Sequence, residues 1–146
     1  MAVEITFRTE QYNRPTDEEI RTGLDYDPVY ASTKVYQLVQ GSQPTDWIVS
    51  LLNAAGEAVG GEGITAQFRM RSVMHIQGEI RQVSKDLTPV DGEDGKFTLA
   101  WEMADLDYPG YYLAEAVAEG DDIGIAISPK PLRVEIKPNR ATAGGY

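Results

Sequence analysis

Between Ile64 and Arg71 the chain alternates without a break: Ile64, Ala66, Phe68 and Met70 are apolar, while Thr65, Gln67, Arg69 and Arg71 are polar. Successive side chains of a strand point to opposite faces, so this run predicts a strand with one face in a core and the other in water. The same pattern returns twice. Trp47, Val49 and Leu51 share a face within Asp46 to Leu52, and Phe97, Leu99 and Trp101 oppose Lys96, Thr98 and Glu102. Trp47, Val49, Leu51, Ile64, Phe68, Met70, Phe97, Leu99 and Trp101 are therefore the expected core.

Turn formers punctuate these runs. Gly41 to Pro44 follows Val35 to Gln40, the Gly-rich stretch NAAGEAVGGEG fills Asn53 to Gly63, and DGEDG occupies Asp91 to Gly95. Asp107-Tyr108-Pro109-Gly110 is a turn signal, because proline presets the backbone at the second position and glycine tolerates positive φ after it. Tyr111 to Ala118 resumes as a strand, and Ile123 to Ile127 with Leu132 to Ile136 closes the series through two prolines, which suggest an edge or a break. The partner of the Phe97 strand is expected in Ile80 to Leu87. Seven to nine strands at this spacing predict an all-β fold, a sandwich of two antiparallel sheets over residues 34–138.

Residues 1–33 read differently. They are polar and rich in turn formers, with a short helical possibility at Thr16 to Thr22, where Thr16 offers a cap and Asp17, Glu18 and Glu19 suit the first turn. Phe7, Tyr12, Leu24, Tyr26, Val29 and Tyr30 are scattered through this zone, as in a segment ordered by packing on a neighbour. The expectation is an extended N-terminal arm, with residues 139–146 as a C-terminal tail.

Composition narrows the function. The chain has 146 residues, enough for one core but not for two. Its net charge of −10 argues against binding nucleic acid, since affinity for the phosphate backbone comes from Lys and Arg displacing counterions. Without cysteine it has neither disulfides nor thiolate chemistry. No long apolar run or leader pattern suggests a membrane partner, and the chain is expected to stay soluble in the cytoplasm where it is made.

Chemical sites are sparse. His75 is the only histidine, so any conventional triad or multi-histidine metal site would have to be built around it. Asp91, Glu93, Asp94, Asp121 and Asp122 are possible oxygen ligands for calcium, but their spacing is not that of an EF-hand, and acidic turns are ordinarily solvated. GEAVGGEG lacks the Gly-Lys-Ser/Thr ending of a phosphate loop and reads as a flexible connection. Carboxylate pairs such as Glu115 and Glu119 are too common in an acidic chain to nominate a glycosidase. Arg69, Arg71 and Arg81 are expected to pair with acids across the strands, and the alternation places Trp101 in the core rather than on a sugar platform. Neither catalytic residues nor metal ligands nor a cofactor are expected.

Trp47-Ile48-Val49-Ser50-Leu51-Leu52-Asn53 with Gly56, followed by Ile64 to Arg71, resembles the N-terminal domain of tailed-phage baseplate upper proteins. Phe97-Thr98-Leu99-Ala100-Trp101, Asp105, Pro109 to Tyr112, Ile127-Ser128-Pro129 and Leu132 to Ile136 extend the resemblance over residues 34–138. It implies an immunoglobulin-like β-sandwich in a phage virion, with other virion structural proteins and copies of itself as partners. Such family members usually continue into a long C-terminal stalk, whereas this chain ends at PNRATAGGY, which favours a small connector or decoration subunit in the tail, neck, baseplate or head. The alternative is a recognition module whose loops, Asn53 to Gly63 and Asp91 to Gly95, bind a host glycan or receptor protein.

Overall fold

The computed structural model describes residues 3–11, 35–53, 55–60, 63–121, 123–127 and 131–139. Among them the strands are β1 (Glu4–Arg8), β2 (Glu10–Gln11), β3 (Val35–Val39), β4 (Trp47–Leu52), β5 (Thr65–Ser72), β6 (Gln82–Asp86), β7 (Thr88–Pro89), β8 (Lys96–Leu99), β9 (Gly110–Gly120), β10 (Gly124–Ile127) and β11 (Leu132–Lys137). A 3₁₀ turn, Met103–Leu106, links β8 to β9. The smaller sheet runs β1-β4-β8-β7. The larger is built on β9, with β5 and then β6 along one side. Along the other side β11 and then β3 cover the first half of β9, and β10 and then β2 cover the second.

This order is the expected sandwich. Strands β1-β4-β8-β7 and β5-β9-β11 reproduce the four-strand and three-strand sheets of an immunoglobulin domain, flanked by β6 and β3. A second hallmark sits at the start of β9, where Tyr112 Oη donates to the Tyr108 carbonyl at 2.6 Å. A tyrosine bonded back to the chain a few residues upstream is the corner device of that fold. Two edge pairs are parallel rather than antiparallel: β1 with β4, and β3 with β11. Neither pair is joined by a tight turn, which is what parallel pairing requires. The strands outnumber the expected seven to nine because β2 and β7 are two-residue pieces.

The interior is an aromatic cluster. Phe68 makes edge contacts with Trp101 at 5.6 Å, Trp47 at 6.3 Å and Phe7 at 6.4 Å between centroids, and the two tryptophans meet at 5.1 Å. Such pairs add about 0.5–1.5 kcal/mol each beyond the area they bury. Trp47, Val49, Leu51, Phe68, Met70, Phe97, Leu99 and Trp101 are all buried, as the alternation predicts. Ile64 is half-buried against them, one position before β5 begins. Ala114 and Ala116 of β9 are register partners of Met70 and Phe68, so a small side chain stands beside each large one.

The first residues correct the arm. Ile5, Phe7 and Thr9 are buried, with Phe7 only 3% exposed, and Thr9 donates its backbone N–H to Leu52 O at 2.7 Å. The physical reason is a short period-two run in which Ile5 and Phe7 oppose Glu4, Thr6 and Arg8. Phe7 is thus a core residue of the sandwich and not an arm contact. Tyr12, Leu24, Tyr26, Val29, Tyr30 and the helical possibility at Thr16 to Thr22 lie outside the described residues.

The pairing of β8 is a second correction. Its neighbours are β4 and β7, while β6 within Ile80 to Leu87 pairs with β5 in the other sheet. Leu87 is buried at the crossing and donates its N–H to Ala66 O at 2.9 Å. With Val83 as its one apolar side chain, QVSKD suits a sheet edge rather than a central position.

Candidate interaction site

At one end of the sandwich, two turns that the sequence separates by some thirty positions come together. Asn53 Oδ1 accepts from the N–H groups of Ala55 at 3.0 Å and Glu57 at 2.9 Å, and Val59 is buried with its N–H on Leu51 O. Leu51 N–H in turn reaches Gly95 O at 2.8 Å. A Cβ on Gly60 would lie 2.4 Å from Gly95 N, and Gly95 itself has φ +78°, so both positions require glycine. Residues 55–60 are therefore a folded turn seated on DGEDG. The expected flexible connection does not hold for them.

The opposite end carries a polar clip. Lys85 Nζ lies 2.9 Å from both Glu102 Oε1 and Asp105 Oδ2, and Asp105 Oδ2 also accepts the Glu102 N–H at 2.8 Å. Burial pulls the Lys85 ammonium down, but the hydrogen bonds and charges of Glu102 and Asp105 outweigh it and hold the pKa above the ordinary 10.5. Beside it Arg81 sits 3.8 Å from the centroid of the Tyr108 ring, donates Nε–H to Ile76 O and pairs with Glu79. Burial pushes the Tyr112 phenol above its usual 10.0, with Arg81 opposing and Tyr108 reinforcing. These contacts brace the corner of the fold.

The outer face of the larger sheet is different in kind. Tyr111 is 62% exposed and Leu113 39%, side by side along β9 with Tyr112 facing inward between them. Arg71 is in register with Leu113, and Leu113 with Arg133; Arg69 stands in the next row opposite Glu115. A groove of about 510 Å³ opens here, lined by Arg69, Arg71, Gln82, Ser84, Leu113 and Pro131 among others. The expected pairing of Arg69, Arg71 and Arg81 with acids across the strands is not seen among the described residues: Arg81 pairs with Glu79 two positions away in the same connection. Arg69 instead donates Nε and Nη2 to Gln67 Oε1 at 3.1 and 2.8 Å, and among the described residues neither Arg71 nor Arg133 has a carboxylate partner.

His75 is exposed on the β5–β6 connection, and no three His, Asp or Glu side chains converge as a metal site among the described residues. No described helix is long and apolar enough to cross a membrane. The outer-face residues Tyr111 and Leu113 escaped the sequence reading. Their signal was there, since Tyr111-Tyr112-Leu113-Ala114 has no polar residue at alternate positions, the mark of a strand apolar on both faces.

Fold and surface together define an immunoglobulin-like sandwich with a sealed interior and an outer face on which Tyr111 and Leu113 stand among charges of both signs. Among solved structures it is similar to the N-terminal domain of phage TP901-1 ORF48, at TM-score 0.51 and 11% identity, over 92% of this chain and 98% of that one. No family model and no curated protein matches the chain.

Proposed function

We propose that the protein is a phage virion structural subunit, one that connects or decorates tail, neck, baseplate or head through protein–protein contacts. The observation that carries this reading is the likeness to a phage domain over nearly the whole length of both chains. It agrees with the resemblance carried by the Trp47 to Arg71 and Phe97 to Tyr112 phrases. With β1 and β2 assigned to the sandwich, the contact element is residues 12–34, together with the outer face of the larger sheet. Neighbours are other virion proteins and copies of the same chain. Apolar side chains in such a segment offset its ordering cost of about 1–2 kcal/mol per residue when they are buried on assembly.

Replacing residues 12–34 with a Gly-Ser linker of equal length tests the reading. The variant is expected to unfold at the wild-type temperature yet fail to enter phage particles, as read by immunoblot of purified virions. Normal incorporation would contradict the assigned element, and absence of the wild-type chain from virions would contradict the role.

A second reading is favoured by the contact between Gly60 and Gly95, which makes the two turns one continuous surface. In that reading the turns recognise a host glycan or receptor protein. Substitution of Glu57 and Glu93 would then reduce adsorption to host cells while leaving incorporation intact.

A further inference from the structure

We propose that the outer face of the larger sheet is a self-association surface, whose occupant is a second copy of this chain packed face to face about a two-fold axis. The face is apolar at its centre and mixed in charge around it. Val73, Tyr111 and Leu113 are exposed and adjoin one another, since Val73 donates its N–H to Tyr111 O at 2.8 Å and Leu113 lies two positions further along β9.

The surrounding charges stand in rows. Register places Arg71 and Arg133 on either side of Leu113, and Glu135 beside Tyr111. On β11, Arg133 and Glu135 are therefore one row apart, as Leu113 and Tyr111 are on β9. Arg133 has no carboxylate partner among the described residues. Glu135 accepts from Gln37 Nε2 at 3.1 Å through Oε1, so its other oxygen faces outward for a donor.

This layout is self-complementary. Packed sheets lie about 10 Å apart with strands within about 30° of each other. A two-fold axis running across the strands, midway between the Tyr111 and Leu113 rows, lays each of these rows on the other row of the second copy. Tyr111 then covers Leu113 of the second copy and Arg133 meets its Glu135, and symmetry makes each contact occur twice. Other axes bring like charges together. One along β9 sets Arg71 against Arg133, and one through the Leu113 row sets each arginine against itself, which costs affinity. A partner of single charge fares no better, because half of the face repels it.

The size suits a reversible contact. Five strands from β6 to β3 span about 19 Å, and Tyr111 to Val117 covers about 20 Å, a flat area of roughly 400 Å² per copy, at the low end for specific interfaces. Two copies of net charge −10 also repel at long range, which physiological salt screens beyond about 8 Å. In the particle such a pair would join two subunits, a use that rests on the proposed assembly role, while the contact itself belongs to the isolated chain.

Charge exchange tests it. Sedimentation of the full chain at physiological salt, from about 1 to about 500 μM, is expected to show a monomer–dimer equilibrium, since dimer population follows protomer concentration. Arg133→Glu alone and Glu135→Arg alone each put like charges at both contacts and should weaken the dimer about tenfold or more. An equimolar mixture of the two variants restores opposite charges at both contacts, and should dimerise like the wild type. Leu113→Ala should weaken the dimer as well, with the thermal midpoint of the monomer unchanged. A wild type monomeric throughout, a dimer indifferent to either charge variant, or a mixture without rescue would overturn the proposal. Incorporation into virions is read separately, so failure of the dimer and failure of the assembly role are distinguishable.

Discussion

The two faces of the larger sheet are made by the same strands and obey different rules. On the inner face Phe68, Met70, Tyr112, Ala114, Ala116 and Ala118 are buried, and size is rationed so that small residues of β9 stand beside large ones of β5. On the outer face Tyr111 and Leu113 are exposed, and no packing against the second sheet selects them. Apolar residues inside are explained by the fold alone. Apolar residues outside, among charged side chains of both signs, are not, and under the proposed function a contact is the reason to keep them there.

The sharpest way to break this comparison is to truncate one residue on each face. Phe68→Ala removes the ring at the centre of the aromatic cluster and is expected to cost about 3–5 kcal/mol, whereas Tyr111→Ala should change stability by less than about 0.5 kcal/mol. Chemical denaturation measures both. Comparable losses would mean that the outer face is a second core.

Next in size is the tyrosine corner. Tyr112→Phe leaves the Tyr108 carbonyl without its donor and is expected to cost about 1–3 kcal/mol. Its pH dependence has a defined sign. Because the folded pKa of Tyr112 is raised, the neutral phenol is favoured in the folded state; that stability is complete below about pH 10 and is lost as pH rises through the folded value. Stability curves of wild type and Tyr112→Phe should therefore converge above pH 10, and parallel curves would contradict the assignment.

Lys85 acts in the same alkaline window for a different reason. Its folded pKa lies above 10.5, so the stability from the clip to Glu102 and Asp105 is complete below about pH 10.5 and is lost as pH rises through the folded value. Lys85→Met should cost about 1 kcal/mol near neutrality, since Glu102 remains largely in solvent, and should flatten the alkaline limb of the stability curve. The smallest effect is expected at Gln77, the one non-glycine residue with positive φ among those described, in a tight turn with Gly78. Both central positions of such a turn favour Asn or Gly, so Gln77→Asn should stabilise by about 0.5 kcal/mol, read as a rise in thermal midpoint.

The core strands were legible because each writes its burial as a strict alternation. Trp47, Val49, Leu51 and the Phe68 strand need no tertiary information to be placed. β1 was not legible for a matching reason: Ile5 and Phe7 are only two apolar positions in a polar zone, and their burial depends on β4, some forty residues away. The partner of β8 was missed because adjacency in sequence favours a hairpin, whereas Leu87 turns the chain from one sheet to the other. The outer face escaped because alternation arguments look for polar residues outside, and β9 breaks that rule at Tyr111 and Leu113. The turn at residues 55–60 looked loose by composition, yet its glycines serve close packing against Gly95.

The central claim is that β1 belongs to the sandwich, with Ile5 and Phe7 sealing the interior against β4. Thermal unfolding of a variant lacking residues 1–11 tests it directly, beside Tyr111→Ala on the outer face. The account predicts loss of cooperative unfolding in the first and a midpoint close to that of the wild type in the second. A first variant as stable as the wild type would contradict it.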